Sequence, residues 1–162
     1  MLKKLVKNEK GLTLVELLAV IVILGIIAAI AVPSIGAIID NSKKDAHIAN
    51  AQQMVSGAKI AVTGNSELLP SNEGGESYLP LEYLINQGYL DKFTDPDGGE
   101  YIVGENLDQI PASQPTTSYV RITKDGNTYI YSVFLAGSER SVGSAGDPIA
   151  SNDLTRDVIA DK

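Results

Sequence analysis

Glu16 and the Asp95–Asp97–Glu100 cluster are the residues whose types and spacing could do chemistry in this 162-residue chain. The stretch Phe93 to Tyr101, "FTDPDGGEY", brings three carboxylates within six positions, and hard oxygen ligands of this kind can hold calcium. Their spacing does not match a complete EF-hand loop, so a solvated Asp-Pro turn is the preferred reading and calcium the only cofactor these residues allow. His47, the single histidine, stands among charged residues and is expected as a polar imidazole on a helix surface. With no cysteine, no phosphate loop and no second histidine to join it, no constellation for nucleophilic or metal-assisted catalysis can be assembled. An enzyme is not expected.

Glu16 poses the sharper question, because Leu17 to Val32 follows it without one polar side chain. Four of the 13 bases (Lys3, Lys4, Lys7, Lys10) and one of the 20 acids (Glu9) lie in the first eleven residues, leaving nine against nineteen, or −10, beyond them. A basic start before an apolar run is an export or membrane signal with the N-terminus kept inside. The acidic remainder repels phosphates, so direct nucleic-acid binding is not expected. As helix, Leu12 to Ile39 would measure roughly 42 Å against a hydrocarbon core of about 30 Å. An ordinary cleaved signal ending after Ala31 or Ala37 fits the small residues near Pro33, and a permanent anchor fits the length. Neither explains an acid that costs about 2.5–3.5 kcal/mol at the centre of a membrane helix.

"Lys10-Gly11-Leu12-Thr13-Leu14-Val15-Glu16-Leu17" resembles the processing site of type IV prepilins: a short basic leader ending in Gly, an apolar residue, and Glu at the fifth position after the cut. Gly25 and Pro33 fall where that family places its helix-weakening residues. Leu12 stands where Phe is commonest. The resemblance implies cleavage between Gly11 and Leu12 by a membrane-embedded prepilin peptidase and N-methylation of Leu12. It also implies assembly with the help of a platform protein and a cytoplasmic ATPase. Cleavage would leave a positive amine on Leu12, and in a helical homopolymer that amine can meet Glu16 of a neighbour; pairing with Glu16 of its own helix is equally open. Pro33 removes a backbone donor and crowds the carbonyl of Ala29, so a fixed kink and a segment that loosens in the filament are both compatible with it.

Beyond Ile39, apolar or small residues at Ile48, Ala51, Val55, Ala58 and Val62 mark one narrow helical stripe, with a stop at Thr63-Gly64-Asn65. A helix from Leu12 to about Thr63 would be roughly 78 Å long. The expected organisation is a cleaved leader (1–11), a hydrophobic helix (12–39), an amphipathic continuation (40–63) and a head (64–162). In the head, "GNSELLPSNEGGES" is expected as a loop, Leu81 to about Gln87 as a short helix stopped by Gly88, and Tyr101 to Val103 as a brief strand. "SYVRITK" and "TYIYSVFLAG" flank Asp125-Gly126-Asn127 as an antiparallel hairpin, in a sheet of about three or four strands. The tail from Gly137 shows weak structural signals.

The fold expected is therefore α+β: the type IV pilin fold, with a long N-terminal helical spine packed on a small antiparallel head. The function expected is a structural pilus subunit, a major pilin of the kind that lacks the usual cysteine pair, as in Gram-positive-like sources. It would sit in the cytoplasmic membrane as a single-pass protein and then in an extracellular filament serving adhesion, twitching motility or DNA uptake. A pseudopilin of a secretion or competence machine is the nearest alternative. An exported soluble binding protein with an ordinary signal peptide is the alternative of another class.

Overall fold

The computed structural model describes residues 13–104 and 109–162. The chain divides after Asp40 into two compact units. One helix, α1 (Leu14–Gly64, 51 residues), contributes to both.

In the first unit α1 is apolar on every side and its side chains are exposed, from Leu14 (84%) through Ile39 (52%). A helix that is apolar all round has no face for water, and this one is long and apolar enough to cross a membrane. The helix is continuous past Gly25 and Pro33. Ser34 Oγ donates to the carbonyl of Ile30 at 3.1 Å, a back-bond one turn up the helix of the kind that Ser side chains make inside helices.

In the second unit the remainder of α1 is followed by a 3-10 turn (Ser66–Leu68), β1 (Glu76–Pro80), α2 (Leu81–Asn86), β2 (Tyr119–Asp125) and β3 (Thr128–Ala136). Then come β4 (Arg140–Val142), β5 (Ile149–Ala150), a second 3-10 turn (Arg156–Val158) and β6 (Ile159–Asp161). The sheet is antiparallel in the order β1-β2-β3-β4-β6. β5 shares the second edge of β3 with β4: Ser132 and Val133 pair with β5, Leu135 and Ala136 with β4. The β2–β3 hairpin closes at Asp125 opposite Thr128, with Gly126 at φ +59° in the turn, a conformation that a residue without Cβ enters at no steric cost.

The expected stripe of α1 is buried, and Met54 and Ala61 join it. Three of its positions are fully buried alanines, Ala51, Ala58 and Ala61, which let the helix approach the sheet closely. Val120 and Ile122 of β2 and Val133 and Leu135 of β3 complete this core. Because successive strand residues point to opposite faces, Tyr119 and Phe134 fall on the other side and form a second cluster with Tyr78 and Ala136. Their rings meet edge-on, Tyr119 to Phe134 at 5.8 Å and Tyr119 to Tyr78 at 5.6 Å.

Several expectations need correction. The sheet has six strands rather than three or four, because the supposedly featureless tail supplies β4, β5 and β6. Strands of two or three residues are too short to show a period of two. β1 begins inside the expected connector and includes Pro80, which an edge strand tolerates. Tyr101 to Val103 is not a strand, although Ile102 exchanges backbone bonds with Ala136 (2.8 Å) and Ser118 (2.9 Å). α2 ends at Asn86, one residue short of expectation, and Gly88 follows at φ +75°.

Candidate functional sites: the helix start and a buried histidine–aspartate cluster

Gly11 and Leu12 lie outside the described residues. At the start of α1, Glu16 Oε2 accepts from the backbone N–H and the hydroxyl of Thr13, both at 2.8 Å. The Thr13 hydroxyl oxygen in turn accepts from Glu16 N–H at 3.2 Å. This reciprocal arrangement is a capping box, which satisfies backbone donors that the first helical turn leaves without partners. The carboxylate in the apolar run thus has a partner in its own chain. Thr13 is a residue that the sequence reading missed, although the signal, Thr-x-x-Glu directly before an apolar run, was present.

The second site lies in the head. His47 is completely buried, not on a polar surface. Its Nε2 is 2.9 Å from Asp97 Oδ2 and 3.6 Å from Asp95 Oδ1, and its Nδ1 is 2.9 Å from the Tyr101 hydroxyl. Asn50 Nδ2 donates to that hydroxyl at 2.9 Å. With the Tyr101 proton directed to Nδ1, Nε2 carries the hydrogen that Asp97 Oδ2 accepts, which gives both ring nitrogens and the Tyr101 hydroxyl a partner in one pattern.

The Asp-Pro turn is correspondingly not solvated. Asp95 is buried, and the Asp97 side chain is 1% exposed. One Asp95 oxygen accepts from Asp97 N–H (2.9 Å), the other from the N–H (2.6 Å) and hydroxyl (2.8 Å) of Ser138. Asp97 Oδ1 faces Lys43 Nζ at 3.2 Å and Arg140 Nη1 at 3.6 Å. Burial raises the pKa of both acids. At Asp95 the hydrogen bonds from Ser138 and Asp97 outweigh it, and at Asp97 so do the bonds from His47 and Lys43 and the charge of Arg140, leaving both below the ordinary aspartate value. Burial drives Tyr101 far above the ordinary tyrosine value.

Two glycines make room for the cluster. A Cβ on Gly137 would stand 2.7 Å from the Arg140 carbonyl oxygen and 2.8 Å from Asp95 Oδ2, and one on Gly99 would stand 2.5 Å from Ser138 Cβ. The arrangement ties α1, the Asp-Pro loop and β4 together, and Arg140 Nε extends it to Asp161 of β6 at 3.0 Å.

Of the three expected calcium ligands, Asp95 and Asp97 converge, whereas Glu100 turns away to an exposed pair with Lys92 at 3.1 Å. His47, Asp95 and Asp97 do offer three ligand atoms within 4.8 Å of one another. Both Asp95 oxygens, Asp97 Oδ2 and His47 Nδ1 face protein donors, and Asp97 Oδ1, which receives no well-aligned hydrogen bond among the described residues, is opposed by the charges of Lys43 and Arg140. The donor set therefore fits a structural polar knot better than a divalent ion.

Residues 6–32 match the family described as the prokaryotic N-terminal methylation motif. Comparison with curated proteins and with solved structures returned no match. Together with the long apolar helix, the motif fits a type IV pilin-like prepilin, a substrate of prepilin peptidase. The α+β arrangement of helix and six-stranded antiparallel sheet matches the type IV pilin fold. The motif ends at Val32, so it speaks for the processed helix and not for the head.

Proposed function

We propose that this chain is a structural subunit, a major pilin, of a type IV pilus and has no enzymatic activity of its own. Prepilin peptidase cuts between Gly11 and Leu12 and methylates the new amine. The subunit waits in the membrane as a single span with its N-terminus inside. A platform protein and a cytoplasmic ATPase then draw it into a surface homopolymer, where neighbouring apolar helices replace lipid. The observation that carries this reading is the methylation motif at residues 6–32 running into an all-round apolar helix. Adhesion, motility and DNA uptake are all served by such a fibre.

The capped Glu16 refines its part in assembly. In the first turn its Oε2 is occupied by Thr13, while Oε1 makes no hydrogen bond among the described residues. Oε1 is then available to an amine, of the same or a neighbouring subunit, without unmaking the helix start. Intact mass and N-terminal sequencing of the native product test the proposal. The expected product begins at a methylated Leu12, and one beginning near Val32 or Ile38 would mark an ordinary secretory protein instead. Glu16→Ala is expected to be processed normally yet to give far fewer fibres. Imaging separates the pilin from the pseudopilin reading: long surface fibres containing this chain support the former, membrane-confined protein the latter.

A further inference from the structure

Lys59 lies on the head portion of α1, away from the histidine–aspartate cluster. Its ammonium sits 5.2 Å from the centre of the Tyr131 ring, a cation–π distance. No carboxylate among the described residues pairs with it.

Two adjoining depressions share Lys59, Ser151 and Asn152. One, of about 420 Å³, is completed mainly by Thr128, Tyr129 and Tyr131. The other, of about 210 Å³, extends along α1 past Gln52 and Ser56. The larger one alone falls in the size range of small-molecule sites, roughly 300–1,000 Å³. Hydroxyls, amides and half-buried tyrosines dominate its lining, and no acid contributes to it. That absence matters on a chain with nineteen acids after its first eleven residues, because a lining without acids around one cation repels an anion less than an acidic lining would.

We propose that this trough binds a saccharide bearing a carboxylate, with the Lys59 ammonium holding the acid group and the hydroxyl, amide and tyrosine groups around it holding the sugar ring. A single ammonium matches a single negative charge. Phosphate sites commonly add an arginine fork to such a point charge, and no arginine lines the trough. Tyrosine offers a rigid flat face with a polar tip, suited to a ring that is apolar on its faces and hydroxylated at its rim. The strongly negative remainder of the chain disfavours polyanions and leaves a mono-acidic ligand with a large neutral body.

The test uses the full chain in detergent, so it does not depend on fibre assembly, with sialyllactose, lactose and acetate as probes in saturation-transfer NMR and calorimetry. Sialyllactose is expected to bind at least about tenfold more tightly than lactose, acetate is expected not to displace it at equal concentration, and Lys59→Gln is expected to remove the tenfold advantage. Lys92→Gln, outside the trough, is expected to change nothing. Equal binding of sialyllactose and lactose, full displacement by acetate, or undiminished binding by Lys59→Gln would overturn the proposal. So would the absence of millimolar binding by both sialyllactose and a uronic-acid disaccharide. If Lys59→Gln fails to fold, Asn152→Ala replaces it, with weaker sialyllactose binding expected and unchanged binding counting against the site.

Discussion

The imidazole Nε2 of His47 lies 2.9 Å from Oδ2 of Asp97, fifty residues further along the chain, and neither side chain reaches solvent. The contact joins the spine helix to a loop that sequence places far from it. Removing one member of such a pair leaves the other buried without its partner, which costs more than the pair contributes in net terms. Asp97→Ala, which also takes a carboxylate away from Lys43 and Arg140, is expected to destabilise the head by about 3 kcal/mol. Denaturant unfolding of the detergent-solubilised protein checks it, and a loss under about 1 kcal/mol would show that the cluster is peripheral to stability.

Acid should loosen the same cluster. Asp95 and Asp97 are both held below the ordinary aspartate pKa, so the unfolded chain takes up protons at higher pH than the folded one. Their contribution to stability is fully present above the unfolded value of about 3.9 and is lost as pH falls through the lower folded values. Melting temperature is expected to be insensitive to these two groups above about pH 5 and to drop below about pH 4. Asp95→Asn should flatten that drop, and an equally steep fall in the variant would assign it to other groups.

Gly137 is expected to resist even the smallest side chain. A Cβ there meets the Arg140 carbonyl oxygen at 2.7 Å, and backbone cannot swing aside as a flexible side chain can. Gly137→Ala should cost about 1–3 kcal/mol, the usual range for overpacking. Gly146→Ala, whose added methyl meets nothing within 4 Å, is the control and should melt with the wild type.

At the helix start, Thr13→Ala removes the capping hydroxyl but leaves the Thr13-position N–H and Glu16 in place. Processing at Gly11 should be retained, while the first turn loses about 1 kcal/mol of local stability. Amide hydrogen exchange at Glu16 and Leu17 in micelles reports it, with protection expected to fall several-fold. Unchanged protection would mean that the lipid-like surroundings, not the cap, hold that turn.

The spine and its N-terminal methylation motif were legible in the sequence because they depend on local pattern: leader charge, an apolar run, a five-residue offset from Gly11 to Glu16 and a buried stripe at helical spacing. The β2–β3 hairpin was legible for the same reason, since strands of seven and nine residues alternate long enough to be recognised around a Gly turn. Thr13 was legible too, as the first residue of Thr-x-x-Glu before an apolar run, but the Leu12 amine, of the same or a neighbouring chain, was the more conspicuous partner for Glu16.

His47 and the Asp-Pro turn went the other way. A histidine among charged neighbours, and carboxylates beside glycines, look solvated by every local rule, because the residues that bury them are Tyr101, Ser138 and Arg140 from later segments. The tail strands likewise have no pattern of their own and acquire one only from the free edge of β3 and from each other. Sequence by itself determined where the chain is greasy, charged and helical, because those properties follow from side-chain chemistry and short-range periodicity. Only the tertiary structure decided which polar groups leave water, because that depends on partners that the fold, not the neighbourhood in sequence, delivers.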